Sequence, residues 1–178
     1  MKKKELPSVL FAADTQASLS YIKRSVTKLQ LLVGEETKKG ETWQMVAASS
    51  GDALVVDEAL STIRSLLYNK IKPDEKNPSF ALRSLRSEIG DTAYATYQKY
   101  KERGAENPEF QILLGTAAEY SEILHVTYEG KNEMLGRYGI LGSGQVTGGE
   151  LLLTEFLREE PTEDQAASLA ALVIATVG

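Results

Sequence analysis

A glycine-serine-glycine turn is the stretch of this sequence best suited to chemistry. Gly142, Ser143 and Gly144 follow residues 136–141, which we predict as a short apolar strand, and precede residues 146–157, which we predict as a helix. The glycines permit close backbone approach, Ser143 supplies a hydroxyl, and the amides at the start of a helix can bind negative charge. The plain alternative is a tight connection in which Ser143 caps the helix.

An acid and a lysine form a second candidate pair. Asp14 ends residues 9–14, which we predict as a buried strand, and Lys28 lies in another apolar stretch. A lysine that points inward must be paired with a carboxylate, and Asp14 is the nearest candidate upstream. The alternatives are that Asp14 stabilises a turn and that Lys28 extends into solvent.

The elements that must position these residues arrive in blocks of strands and blocks of helices. We predict strands at residues 42–48, 110–117 and 122–128, and one bent strand or two short ones at residues 21–33. We predict helices at residues 52–68 and 80–101, and a last helix with Pro161 and acids in its first turn. This order favours an α+β protein with two packed antiparallel sheets and a helix layer on each side. The first two helices should pack together on one outer face.

Other polar residues have plain structural interpretations. Ser50 and Asp52 precede the first predicted helix and are predicted as its N-terminal caps. His125 is the only histidine and has no second histidine or cysteine with which to share a metal, so we interpret it as structural. Leu141 and Gln145 stand where a nucleophile elbow needs glycines, and no lysine follows the turn as a phosphate loop requires.

Composition narrows the classes of function. The chain has 178 residues, 42% of them hydrophobic and 25% charged, which fits a single domain over residues 1–178. Its 20 basic and 25 acidic residues give a net charge of −5, which argues against nucleic acid or an anionic membrane as the main partner. It has no cysteine and no apolar run of signal or membrane length. We therefore expect a cytoplasmic protein without disulfides or a cysteine nucleophile.

Four short motifs together carry a resemblance to a known family. They are Ala12-Ala13-Asp14-Thr15, Val26-Thr27-Lys28-Leu29, Ala47-Ala48-Ser49-Ser50-Gly51-Asp52-Ala53, and Leu141-Gly142-Ser143-Gly144 before a helix. In order and spacing they are similar to the β-type subunits of the 20S proteasome and their bacterial relatives, over nearly the whole chain. The resemblance implies the four-layer αββα fold of N-terminal-nucleophile hydrolases, stacked rings, and threonine-type endopeptidase activity inside a closed chamber.

The resemblance also implies roles for three residues. Asp14 matches the acid that pairs with the catalytic lysine, Lys28 matches that lysine, and Ser143 matches the serine that orients the free α-amino group. Such chemistry is sensible because a threonine hydroxyl is a poor nucleophile until a base, here the chain's own terminal amine, takes its proton. A nearby ammonium also lowers the pKa of the hydroxyl.

The surroundings of the site follow from the same resemblance. The implied oxyanion or site-lining positions are Ser50, Gly51, Gly142 and Gly144, and whether Ser50 or Gly51 supplies the oxyanion amide stays open. The implied partners are a peptide or unfolded protein substrate, further copies of the chain in a homo-oligomeric ring, and a regulatory ATPase or cap. No cofactor, metal, nucleic acid or membrane is implied.

The sequence also departs from the family. It starts with Met-Lys-Lys-Lys-Glu-Leu and lacks the first hairpin strand with its N-terminal threonine, and it lacks the strand pair that follows the last helix. One hypothesis is a threonine peptidase whose nucleophile lies outside this sequence, so that the sequence as written is inactive. Another is a non-catalytic structural or gating subunit, and a third is an acyltransferase or ligase on the same fold. Retention of Lys28 with Asp14 favours the first hypothesis, because a buried ion pair has little structural merit over apolar packing.

Overall fold

Alternating apolar residues in the middle of the chain build an antiparallel sheet. The computed structural model describes residues 8–13, 16–19, 22–25, 28–36, 42–71, 78–117, 121–142, 148–157 and 161–177. Its strands are β1 (Gln16–Leu19), β2 (Ile22–Ser25), β3 (Leu29–Glu36), β4 (Thr42–Gly51), β5 (Phe110–Ala117), β6 (Ser121–Thr127) and β7 (Asn132–Leu135). Its helices are α1 (Ala53–Lys70), α2 (Pro78–Glu102), α3 (Gly149–Phe156) and α4 (Glu163–Val177).

Five of the strands pair in the order β3-β4-β5-β6-β7, and each pair is antiparallel. The edge strand β3 has a bulge between Leu31 and Val33. There the guanidinium of Arg64, on α1, donates to the carbonyl oxygens of Leu32 (3.2 Å) and Leu31 (3.1 Å). The bulge and its arginine therefore occupy carbonyls that an edge strand would otherwise offer to another chain.

The first face of this sheet is buried under α1 and α2. Even-numbered positions of β5 and β6 point to that face, and the apolar stripes of both helices meet them in one core. The buried positions of α1 are Val55, Val56, Ala59, Leu60, Ile63 and Leu67. The prediction that the first two helices pack together on one face is confirmed.

Asp52 caps α1 as predicted, because its Oδ1 accepts from the amides of Leu54 (2.9 Å) and Val55 (3.2 Å). Ser50 lies in β4 and is not a cap.

The second face of the sheet is covered by residues 8–13 and, across a cavity, by α3 and α4. The segment 8–13 is held against β5, since a side chain at Gly115 would overlap the ring of Phe11. Thr162 and Gln165 cap α4 reciprocally: the Gln165 amide donates to Thr162 Oγ1 (3.3 Å) and the Thr162 amide donates to Gln165 Oε1 (3.0 Å). Pro161 precedes this helix, whose first turn carries Glu163 and Asp164 as predicted.

Two strand predictions are wrong. Residues 9–13 form no strand, because no neighbouring strand in the described part of the chain pairs with them and Phe11 anchors them by its side chain. Residues 136–141 also form no strand. A tight turn, in which the Thr127 amide donates to the Lys131 carbonyl (3.0 Å), starts β7 at Asn132, so the chain has left the sheet before the glycine-rich stretch.

The architecture is thus α+β, with helices on both faces of an antiparallel sheet. The stretch predicted as one bent strand or two short ones contains two, β2 and β3. Strands β1 and β2 form a separate two-stranded hairpin. Among the helices of the described segments, none combines the length and apolarity needed to cross a membrane.

Candidate functional site

A cavity of about 680 Å³ lies between the second face of the sheet and helices α3 and α4. The sheet contributes side chains that alternate with the core, namely Ala48, Ser50, Leu113 and Ile123. Residues 8–13, residues 136–142 and the inner side of α4 form the other walls. A space of this volume is large enough for a segment of peptide or a small molecule.

Lys28 lies at this cavity, immediately before β3. Its carbonyl oxygen accepts from the Ser49 amide (3.2 Å), which continues the pairing of β3 with β4 by one residue. The lysine is half-buried and lines the cavity. Its position is therefore fixed by the sheet, and it does not lie fully in solvent.

Ser50 and Gly142 meet at one side of the cavity, and we call these two residues the rim. A Cβ at Gly142 would lie 3.5 Å from the Ser50 Cβ and 3.9 Å from its Oγ, which is ordinary contact. The loop that carries Gly142 thus passes beside the end of β4, and two hydrogen bonds attach it to α3. The Arg137 guanidinium donates to the Leu157 carbonyl (3.1 Å), and the Tyr138 hydroxyl bonds the Thr154 hydroxyl (2.8 Å).

Gly51 has a structural reason of its own to be glycine. Its φ is +116°, and a Cβ there would overlap the Glu109 carbonyl oxygen and lie 2.6 Å from the Phe110 Cα. The next amide, that of Asp52, donates to the Glu109 carbonyl (3.1 Å), so β4 and β5 approach closely at this end. Ser50 lines the cavity and Gly51 is not among its lining residues.

Three predicted site residues, Asp14, Ser143 and Gly144, lie outside the described residues. The predicted pairing of Asp14 with Lys28 therefore stays a prediction. The described residues that directly precede two of them, Ala13 and Gly142, both line the cavity.

Four residues with charged side chains line the cavity. Lys28 and Arg137 are the basic lining residues, while Glu163 and Asp164 line it from the first turn of α4. Within the described residues, no three histidine or acidic side chains cluster as metal ligands would.

A polar pair near the rim was not singled out by the sequence. His125 Nε2 donates to Gln111 Oε1 (3.0 Å), because an amide oxygen can only accept. Burial lowers the pKa of His125, and the carboxylate of Glu133, opposite it on β7, raises that pKa by a smaller effect. His125 is thus half-buried and hydrogen-bonded, as a structural histidine would be. The signal that could have found the pair is the register of β5 with β6, which places His125 opposite Leu113 and so one diagonal step from Gln111.

Comparison by structure finds similar proteins, whereas comparison by sequence finds none. No protein-family model matches the sequence, and no curated protein matches it. Anbu, the ancestral β-subunit, from Yersinia bercovieri matches with a TM-score of 0.66 at 17% identity, over 93% of this chain and 72% of that one. The chain has the Anbu fold. A Gly-1 mutant of Anbu from Hyphomicrobium sp. strain MC1 matches with a TM-score of 0.65 at 14% identity, over 92% of this chain and 66% of that one.

A third match is the helical assembly of the Anbu complex from Pseudomonas aeruginosa. Its TM-score is 0.64 at 12% identity, over 92% of this chain and 68% of that one. The Anbu fold is proteasome-like, so the resemblance inferred from the four motifs is confirmed as a structural one. At these identities the match shows the fold alone. The chain spans about two thirds of the length of the Hyphomicrobium protein.

Proposed function

We propose that this chain is a subunit of a proteasome-like assembly and that the cavity is its active site. There it would bind a peptide or unfolded protein and hydrolyse peptide bonds with a threonine-type nucleophile that lies outside this sequence. We also propose that the five-stranded sheet and its helices are part of a complete four-layer αββα sandwich. The observation that carries it is the convergence of Lys28 and Ser50, at the paired strands β3 and β4, with Gly142, from a loop distant in sequence, on one cavity.

The lysine supports the catalytic part of this proposal. An ammonium beside a hydroxyl favours the alkoxide and so lowers the pKa of the nucleophile, while a terminal amine takes the proton. The half-buried setting of Lys28 strengthens this effect, since the surrounding apolar walls screen its charge less than water does. Asp14 would hold the ammonium in place, because the residue before it, Ala13, already lies at the cavity.

The rim supports the remaining roles. Gly142, which lies beside Ser50, leads directly into Ser143, and Ser143 would orient the terminal amine. A backbone amide at the end of β4 would stabilise the oxyanion of the tetrahedral intermediate. The Asp52 amide donates to the Glu109 carbonyl on β5, so the alternation of the ladder also directs the Ser50 amide to β5, where it faces Gln111. The Gly51 amide points away from β5, and we therefore assign the donor to Gly51.

The proposed assembly is a homo-oligomer. The Pseudomonas aeruginosa Anbu complex forms a helical assembly, and a ring is the arrangement that the proteasome resemblance implies. Sedimentation velocity of the native full-length protein should show a species several times the mass of one chain. A stable monomer at micromolar concentration would contradict the assembly and leave the cavity chemistry to be judged separately.

The decisive experiment on the chemistry uses the native full-length protein. Intact-mass spectrometry identifies its terminal residue, and an electrophilic peptide probe should add one probe mass at that residue. Lys28→Ala should abolish both labelling and hydrolysis of a fluorogenic peptide while leaving the fold intact. Lys28→Arg should not restore them, since a guanidinium keeps the charge but not the compact shape of an ammonium.

The matched control is Lys101→Ala, an exposed lysine at the end of α2 that does not line the cavity. It should label and turn over like the wild type. Undiminished turnover by Lys28→Ala would remove the catalytic role. An assembled protein that neither labels nor turns over would identify a non-catalytic structural or gating subunit.

A further inference from the structure

The second face of the sheet changes from apolar to polar towards the rim. Ala48, Leu113 and Ile123 form its apolar part, which lines the cavity. At the adjoining end, antiparallel register places Gln111 directly opposite Ser50 and Thr127 directly opposite Gln111. Side chains that are directly opposite in such a pair share one face, with Cβ atoms about 4.5–5.5 Å apart. Ser50 therefore has the Gln111 side chain as its immediate neighbour.

His125 holds that neighbour in place. It lies opposite Leu113, one step diagonal from Gln111 on the same face, and its Nε2–H donates to Gln111 Oε1 at 3.0 Å. A glutamine side chain has three rotatable bonds, and one directed hydrogen bond removes much of that freedom. The imidazole is half-buried on β6, the strand between β5 and β7, so its own position is already restricted. The hydrogen bond therefore restricts the position of the Gln111 amide.

We propose that His125 acts through Gln111 as a positioning residue for Ser50, and through Ser50 for the Gly142 side of the rim. The inference rests on the proposed function, since the rim affects turnover only if the cavity is the site. The bond itself is insensitive to protonation of the ring, because Nε2 carries its hydrogen in both the neutral donor form and the cation. Glu133 is the titratable group that faces His125 from β7, and Gln111 and Leu113 face it from β5.

Two substitutions of His125 separate a positioning role from a packing role. His125→Phe keeps a ring of similar size and removes the donor, whereas His125→Gln supplies a side-chain N–H at nearly the same reach. Thr127→Val is the matched control, because it changes a side chain in the same row without removing a hydrogen bond: within the described residues, the buried Thr127 hydroxyl has no partner.

The kinetic arm uses the full-length protein and a fluorogenic peptide. If His125 positions the rim, His125→Phe should lower kcat by about tenfold with little change in KM, because displacement of a catalytic rim costs rate more than ground-state binding. His125→Gln should restore most of kcat, and Thr127→Val should leave it unchanged. Wild-type kcat in His125→Phe, or equal losses in His125→Gln and His125→Phe at equal stability, would overturn the inference.

A spectroscopic arm does not depend on turnover. His125 is the only histidine of this sequence, so its imidazole resonances are unambiguous in a protein prepared without a histidine tag. Ser50→Ala should shift these resonances more than Thr127→Val does. If wild-type protein shows no hydrolysis, the proposed function fails and this arm alone decides: a shift supports the positioning contact, and its absence overturns it. Where hydrolysis is detectable, the kinetic result decides.

Discussion

Ser50, near the end of β4, lies against Gly142, in the loop that follows β7. The two residues are neighbours because the Ser50 side chain points to the second face of the sheet, where this loop passes. Arg137 and Tyr138 hold the loop there by attaching it to α3. The rim thus depends on two separate supports, strand register on one side and helix docking on the other. Weakening either support should alter the rim before it alters the core under α1 and α2.

Gly51→Ala should be severely destabilising. The added methyl would overlap the Glu109 carbonyl oxygen, a backbone atom that can move only if the strand shifts. The φ of +116° is also a conformation that alanine rarely adopts. We expect a loss of about 3 kcal/mol or more in the free energy of unfolding. Gly104→Ala is the control, since it has a φ of +84° with no atom within 4 Å and should lose only about 1–2 kcal/mol. Urea unfolding measures both, and equal losses would show that close approach does not constrain Gly51.

Two threonines of the sheet should respond oppositely to valine. The buried Thr116 hydroxyl donates to the Gln44 carbonyl (3.1 Å), so Thr116→Val should cost about 1 kcal/mol. The Thr127 hydroxyl is buried without a partner in the described structure, so Thr127→Val should be neutral or slightly stabilising. Both replacements keep the β-branched shape. Urea titrations of both variants measure the change in the free energy of unfolding. A larger loss for Thr127→Val than for Thr116→Val would contradict the prediction.

Local patterns predicted the helical half of this fold. The apolar stripe of α1 and the Asp52 cap can be read directly from the sequence, because both depend on residues within a few positions of each other. Strands β5 and β6 were also placed closely by their alternation. The strand predictions for residues 9–13 and 136–141 were wrong because apolar composition does not indicate whether a partner strand is available.

The site was less accessible to local reasoning. The grouping of Lys28 with Ser50 and Gly142 depends on how β3 pairs with β4 and on how a loop docks on α3, and neither is encoded by spacing within one segment. The family resemblance suggested the grouping from motif order. The pair of His125 and Gln111 was not suggested at all, since their proximity to Ser50 follows from the register of three strands.

Glu58 should make stability depend on pH where α1 packs on α2. It forms an ion pair with Lys99, and hydrogen bonds from Lys99 and then Tyr100 lower the pKa of Glu58 below its ordinary value of 4.5. A carboxyl whose pKa is lower in the folded state stabilises that state above the unfolded value, and the contribution is lost as pH falls through the folded value. The advantage of wild type over Glu58→Gln should therefore be present near neutral pH and disappear in acid.

Urea titrations at about pH 7 and about pH 3.5 measure this difference. Glu102→Gln, an exposed acid at the end of α2, is the control, and its difference from wild type should change less between the two conditions. An advantage of wild type that persists unchanged in acid would show that the contact of Glu58 with Lys99 contributes by packing and not by charge.

Tyr138→Phe should loosen the loop of residues 136–142 while leaving the rest of the fold in place. The Tyr138 hydroxyl bonds the Thr154 hydroxyl of α3 at 2.8 Å near the protein surface, so its loss should cost no more than about 1 kcal/mol of global stability. Local opening responds more strongly, because this bond and the one from Arg137 attach the loop to α3. Hydrogen exchange followed by mass spectrometry should show faster exchange in peptides covering residues 136–142, with α1 and β5 unchanged. Tyr94→Phe, at an exposed position of α2, should leave exchange in the loop as it is in wild type. If the loop exchanged at the wild-type rate in Tyr138→Phe, the contact of Gly142 with Ser50 would be sufficient to hold the rim, and docking on α3 would have no part in it.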